Sequence, residues 1–275
     1  MRSEAGCRYP SRMPTAKLGS ATLHYREAGG GTDVALLLHA FPLHSAMWAP
    51  QLAALAPGWR VLAPDYRGLG ESRGAGDATT MELIAEDVLG LLRQLGVRRA
   101  AVAGLSMGGY VALELYRRAP KLFRGLALCD TKAGPDTEAQ KEVRKQFAKD
   151  ALAKGLDWVA DAFTPKLLRE EADPALAEQV KALIRGGTPE GVAAAQRGMA
   201  LRKDSIPTLP LINCPTLVMC GDEDRLTPPA ESQRMASLVK GARLVHIPAA
   251  GHLSNLENPS AFNAALTSFF ASLPA

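Results

Sequence analysis

Gly104, Ser106 and Gly108 alternate through the stretch GLSMGGYVAL, where an apolar run stops and a helical pattern starts. A strand that turns abruptly into a helix presents one side chain at the carboxyl end of a sheet, provided its neighbours lack bulk. The G-x-S-x-G spacing supplies that geometry, and it is the spacing of a nucleophile elbow. Gly109 lets the helix approach the strand closely. The helix that begins at Met107 directs free backbone N–H groups and its positive end at the serine oxygen, which favours developing negative charge. The chemistry is attack by an alcohol on a carbonyl carbon. Five residues of this kind alone also fit a structural glycine-rich turn; their place between a buried strand and an amphipathic helix makes the catalytic reading the stronger one.

A serine hydroxyl is protonated at neutral pH and needs a base. Of the five histidines, His24 falls in a first hairpin, His39 ends a strand, His44 lies in the following loop, and His246 is expected within a buried strand. His252 follows the last strand in IPAAGHLSNLENP, where a loop can swing over the serine. His252 is therefore the expected base. His39 competes because it too ends a strand, but a role in shaping its own loop accounts for it better. The imidazole needs a carboxylate on its other nitrogen. Asp224 in VMCGDEDRLTPP is the expected partner, Asp222 is expected to cap the turn, and Asp130 at the end of LALCD is the rival acid. The oxyanion needs two donors, each worth about 2.7–4 kcal/mol to the transition state. Met107 supplies one backbone N–H, and Phe41 in LHAFPLHSAMW is placed to supply the other and to line the pocket with its side chain.

The elements that must position these residues alternate. KLGSATLHYREAG reads as a half-buried hairpin; VALLLHAF, RVLAPDY, RAAVAGLS, FRGLALCD, PTLVMCGDED and ARLVHIPAAGH read as short apolar strands with helical patterns between most of them. Such alternation predicts a parallel sheet wrapped on both faces. From Gly134 to Ser205 the pattern is helical throughout, with apolar Phe147, Leu152, Trp158, Val159, Phe163 and Leu167 at helical spacing, which predicts an inserted helical cap over 134–205. Most of those apolar residues are expected to seat the cap on the core. Residues 1–15 lack periodicity and are expected to form a tail, with Met13 an alternative start that detection of Arg2 or Ser3 at the native N-terminus would refute.

With 275 residues, 47% of them hydrophobic, the chain can bury a substantial single core. The net charge of +4 is spread through mixed acidic and basic residues, so no basic stripe points to nucleic acid. No apolar stretch approaches the ~20 residues that span a bilayer, and the N-terminus lacks a signal-like apolar segment, which together give the expectation of a cytoplasmic protein. Cys7, Cys129, Cys214 and Cys220 have neither metal-ligand spacing nor disulfide density, and are expected to be buried and inert.

Together these residues resemble the α/β-hydrolase superfamily over nearly the whole chain. LLLHAFPLHSAMW looks like its oxyanion-loop segment, DYRGLGES like the loop after the next strand, GLSMGGYVA like its elbow, GDEDRLTPP like its acid loop, and AGHLSNLENP like its histidine loop. The resemblance implies an α/β-hydrolase fold, with a core of 16–133 and 206–275 and the helical insertion as its cap. It carries the triad onto Ser106, Asp224 and His252 and the oxyanion donors onto Phe41 and Met107, with no cofactor or metal. Serine at the elbow sets the chain apart from epoxide hydrolases and haloalkane dehalogenases, which use aspartate there. Many relatives have glycine where this chain has Ala40; a positive φ at that position would strain alanine by roughly 1 kcal/mol or more.

Within the serine branch, GLSMGG, LCDTKAGPDT and QRGMALRKDS resemble oxoadipate enol-lactone hydrolases and small carboxylesterases. The implied activity is hydrolysis of a small to medium ester or lactone through an acyl-enzyme, with Phe41, Trp158 and Met199 as expected pocket residues. Two other functions fit the same motifs: cofactor-free perhydrolysis of the haloperoxidase-like kind, and a hydrolase-fold ligand sensor with slow turnover.

Overall fold

The computed structural model describes residues 13–274. The strands are β1 (Thr15–Leu18), β2 (Ala21–Ala28), β3 (Val34–Leu38), β4 (Arg60–Pro64), β5 (Ala100–Leu105), β6 (Phe123–Cys129), β7 (Thr216–Gly221) and β8 (Arg243–Ile247). They form one eight-stranded sheet in the order β1-β2-β4-β3-β5-β6-β7-β8. The β1–β2 hairpin and the β2–β4 pairing are antiparallel, and every later pairing is parallel. Because β1 starts at Thr15, the expected tail ends earlier than residue 15; its residues 1–12, with Cys7, lie outside the described residues.

The centre of the sheet is apolar on both faces because helices cover both. Leu36, Leu37 and Leu38 are fully buried on β3, as are Val102 and Ala103 on β5; burying each leucine contributes about 1.5–3 kcal/mol. Helices α1 (Ala49–Leu55) and α9 (Pro259–Ala271) pack together, as do α2 (Met81–Gln94) and α3 (Met107–Arg118). Trp48 meets Phe262 with ring centroids 6.1 Å apart, and Trp59 meets Phe270 at 5.2 Å. Thr80 caps α2 by accepting from the Leu83 N–H, and Asn258 caps α9 by accepting from that of Ala261.

The last strand departs from the sequence reading. β8 is an edge strand with partly exposed residues, and the His246 side chain is 38% exposed rather than buried. An edge strand can carry an apolar run when only one side of it is paired, and the run alone does not distinguish the two cases.

Between β6 and β7 the chain forms α4 (Glu138–Leu167), α5 (Pro174–Arg185) and α6 (Pro189–Ala200), with α4 packed on both of the others. Thr137 and Gln140 form a reciprocal capping box at the start of α4. Gly155 takes φ 77° and breaks α4 into two arms. α6 lies flush on the loop after β4: a Cβ on Gly191 would come within 1.9 Å of the Gly68 carbonyl oxygen. The Thr79 N–H donates to Ala194 O at 2.9 Å and that of Thr188 to Gly68 O at 3.1 Å, tying this helix to the core backbone. Of the apolar residues expected to seat this segment, Val159 and Leu167 are buried, whereas Leu152 is 44% exposed. The helices α7 (Pro229–Leu238) and α8 (Ser254–Glu257) follow β7 and β8. No helix among the described residues is long and apolar enough to cross a membrane.

Candidate active site

The turn from β5 into α3 holds Ser106 at φ 55° and ψ −115°, a conformation an L-residue adopts only at a cost of about 1–3 kcal/mol. Its surroundings over-determine it. The Ser106 N–H donates to Cys129 O at 2.9 Å, and its carbonyl accepts from Thr131 Oγ1 at 2.7 Å and from the Gly109 N–H at 2.9 Å. The flanking glycines are required by contact: a Cβ on Gly104 would fall 2.3 Å from Gly108 O, and one on Gly108 would fall 2.0 Å from Leu38 O.

His252 reaches this corner from the loop after β8. Its Nε2 is 2.7 Å from Ser106 Oγ and its Nδ1 is 2.8 Å from Asp224 Oδ2. Both the imidazole and the carboxylate are fully buried. With Asp224 ionised, Nδ1 carries the proton and the Nε2 lone pair faces the serine hydroxyl. Burial alone would raise the Asp224 pKa. The charge of His252 and hydrogen bonds from His252 and Thr227 outweigh it and hold the carboxyl below its usual value.

Asp224 is also the residue that folds its own turn. Its Oδ1 accepts from the Leu226 N–H at 2.8 Å and from the Thr227 N–H at 2.9 Å, while Thr227 Oγ1 donates to Oδ2 at 2.6 Å. The turn-capping role expected of Asp222 therefore belongs to Asp224, and Asp222 instead lies 2.9 Å from His246 Nδ1. Thr227 was not singled out from sequence, although it stands three residues after the acid, at the spacing of a side-chain-closed turn.

The rival residues are occupied elsewhere. His39 stacks on Tyr66 at 3.8 Å, donates from Nδ1 to Ala40 O at 2.9 Å, and accepts the Tyr66 N–H on Nε2 at 3.1 Å. Burial lowers its pKa to about 4, so it remains a neutral link between two loops. Asp130 accepts the Gly221 N–H on Oδ1 at 2.7 Å and meets the Ser254 hydroxyl through Oδ2. Burial, and secondly the nearby Asp224 charge, raise its pKa well above the ordinary carboxylate value.

The backbone N–H groups of Phe41 and Met107 donate to no group among the described residues, so both are free to bind an oxyanion. Ala40, immediately before Phe41, is not among the positive-φ residues, which apart from glycine are Ser106, Asp130 and Ala249. Alanine is therefore unstrained at the position where many relatives have glycine.

Ser106 opens into a cavity of about 230 Å³ lined by residues that include Phe41 and Met199. Trp158 does not line it. The indole packs against Phe147 at 5.1 Å and carries Lys154 Nζ 4.7 Å over its ring, while Phe147 and Phe163 form the aromatic wall with Phe41. The sequence reading named those two phenylalanines only among the apolar residues at helical spacing, and it did not single out Tyr110, Lys132, Asp136 or Arg144, all of which also line the cavity. Cys129 and Cys220 are buried free thiols and Cys214 is partly buried; burial raises the pKa of all three. Among the described residues no group of three or more His, Cys, Asp or Glu could hold a metal ion.

Residues 34–259 match the alpha/beta hydrolase fold family model. The chain is similar to the malate-bound structure of a thermophilic esterase from Thermogutta terrifontis, with 38% identity, TM-score 0.89, and coverage of 96% of this chain and 98% of that one. It is similar to the enol-lactonase from Burkholderia xenovorans at 32% identity, TM-score 0.88, and coverage of 94% and 100%. A Mycobacterium tuberculosis protein with the provisional name non-heme bromoperoxidase BpoC is 31% identical over 83% of this chain and 90% of its own length.

Proposed function

The chain belongs to the alpha/beta hydrolase family, and from that premise we propose that it is a serine hydrolase cleaving a small to medium carboxylic ester or lactone through an acyl-enzyme. The observation that carries this reading is the unbroken hydrogen-bonded chain from Ser106 Oγ through His252 to Asp224, with the serine facing the cavity. Ser106 Oγ bonds to the substrate carbonyl carbon as its proton passes to His252 Nε2, and the N–H groups of Phe41 and Met107 receive the oxyanion. Collapse restores the C=O bond and breaks the bond between the acyl carbon and the ester oxygen, and the alcohol leaves with the proton held by His252. Water then attacks the acyl-enzyme with His252 again as base, releasing the acid and restoring the serine. Residues 134–205 serve as a cap that shields this chemistry from bulk water.

The esterase and enol-lactonase relatives support an ester or lactone carbonyl as the target. The test is Ser106→Ala against p-nitrophenyl acetate, with a fluorophosphonate probe and mass spectrometry to locate the adduct. Loss of turnover and of the adduct is expected; full turnover by the variant would rule the mechanism out.

Similarity to the bromoperoxidase-named protein favours a second reading in which hydrogen peroxide replaces water in deacylation and a peracid is released. Peracid formation from acetate and peroxide tests it. The sensor reading is separated kinetically: sustained turnover on varied short-chain esters favours the enzyme, and a stalled single turnover favours the sensor.

A further inference from the structure

The turn that carries His252 is fastened to the helical segment 134–205 on both sides of the imidazole. After His252, the Leu253 N–H donates at 3.0 Å to Leu167 O, at the end of α4. Before it, the Gly251 N–H donates to Glu257 Oε2, and Glu257 Oε1 accepts the Arg169 N–H at 2.8 Å. One carboxylate therefore joins the residue preceding the base to the chain just past α4. The two backbones are in direct contact there: a Cβ on Gly251 would come within 2.6 Å of the Arg169 nitrogen and 2.9 Å of the Leu168 carbonyl carbon.

Glu257 reaches this place because α8 is one short turn. The Glu257 N–H donates to Leu253 O at 3.0 Å, which folds the chain back and returns the acid to the residue before the base. An ionised carboxylate only accepts, so its two oxygens suit two converging N–H groups, and both bonds are charge-assisted. The other links of this turn run to the core: Ser254 Oγ to Asp130, Asn255 Nδ2 to Met47 O at 3.0 Å, and the Glu223 N–H to Ala250 O at 2.9 Å. Among the described residues, Glu257 is the one side chain hydrogen-bonded both to this turn and to segment 134–205. The same end of α4 carries Phe163, one helical turn before Leu167, and Phe163 lines the cavity that Ser106 opens into. A molecule that bears on this wall bears on the element to which the base is tied.

We infer that Glu257 is a positioning residue that clips segment 134–205 to the His252 turn, so that the imidazole is held at Ser106 only while the end of α4 is seated. The inference rests on the serine-hydrolase reading above. Glu257 does not line the cavity; it acts through the backbone of Gly251. Seating the cavity wall and aligning the base thereby become one event: a substrate lodged against Phe163 steadies the end of α4, and the imidazole is in register when the ester carbonyl meets Ser106. A misplacement of about 1 Å near a reacting group costs on the order of a hundredfold in rate, so a clip of this size acts on catalysis without touching the substrate.

The test replaces Glu257 by Gln, which keeps the shape but has one acceptor oxygen, so its amide nitrogen faces the second backbone donor. With p-nitrophenyl acetate, kcat is expected to fall about ten- to a hundredfold with KM within about threefold, and labelling of Ser106 by a fluorophosphonate should slow in proportion. The low-field proton resonance of the His252–Asp224 hydrogen bond, present in the wild type, should broaden or vanish in Glu257→Gln at a temperature where circular dichroism shows it folded. Arg169→Pro removes the N–H on the other side of the clip; Leu168 already has the extended backbone that precedes proline, φ −113° and ψ 157°. It should reproduce the loss, and the double variant should lose no more than either single one; should Glu257→Gln fail to fold, Arg169→Pro decides alone. A folded variant with kcat within about threefold of the wild type, a loss confined to KM, or losses that multiply in the double variant overturns the clip and leaves the hydrolase reading standing. Absence of turnover by the wild type overturns both.

Discussion

Thr227 Oγ1 lies 2.6 Å from Asp224 Oδ2 and 3.2 Å from His252 Nδ1, so one hydroxyl braces the carboxylate at the oxygen that faces the imidazole. A hydrogen bond to a charged group contributes about 1.5–3 kcal/mol. Thr227→Val should therefore lower kcat by roughly ten- to a hundredfold with a smaller change in KM, because the imidazolium is formed only after binding. Thr227→Ser should restore most of the rate. Steady-state kinetics on one ester decide it, and a KM effect without a kcat effect would assign Thr227 to substrate contact alone.

The two buried aspartates near the base should behave in opposite ways. Asp224→Asn leaves the shape but removes the charge that holds the Nδ1 tautomer, and a loss of about 10⁴ in kcat is expected. Asp130 makes its hydrogen bonds to Gly221 and Ser254 and none to His252, so Asp130→Asn should keep kcat within about threefold. Comparable losses in the two variants would place Asp130 in the relay.

Acid should unfold the protein partly through Asp136. Burial opposes ionisation there, but the hydrogen bonds and charges of Arg202 and Arg144 prevail and hold its pKa down to about 2. A carboxyl whose pKa is lower folded than unfolded stabilises the fold at pH values above its unfolded pKa, and that stability is lost as the pH falls through the folded value. From the ordinary value of 3.8 the linkage is on the order of 2 kcal/mol, withdrawn between about pH 4 and pH 2. Urea titrations of wild type and Asp136→Asn should differ most at pH 6 and converge towards pH 2.5. A gap that stays constant with pH would rule out this ionisation as its source.

Ala40 should resist replacement by glycine. Its backbone is outside the positive-φ region, so Ala40→Gly brings no relief of strain and adds chain entropy to the unfolded state, a cost of about 0.5–1 kcal/mol. Thermal melts should show a lower midpoint with no gain in kcat. A higher midpoint would mean that the alanine was strained.

The residues that converge at Ser106 were legible because each belongs to a local backbone event: a strand-to-helix turn at Ser106, a loop leaving a strand at Asp224, a loop leaving the last strand at His252. The alternation of strand and helix likewise announced the parallel sheet, wrapped on both faces, around them. Pocket lining was less legible. Helical spacing counted from Phe147 to Trp158 and Phe163 crosses Gly155, where α4 changes direction, so the phase of one arm says nothing about the other, and spacing alone does not separate Phe147 and Phe163, which line the cavity, from Trp158, which does not. The cations fared similarly. Lys132 and Arg144 are set apart in the sequence, and only the fold brings them to the buried Asp136.

The flush seat of α6 on the core, where Gly191 meets Gly68, leaves no room for a side chain between them. With that seat pinned by main-chain bonds from Thr79 and Thr188, the Gln196 and Met199 that α6 gives to the cavity stand at a depth set by backbone contact, so moving this part of the lining takes a change of main chain rather than of side chain.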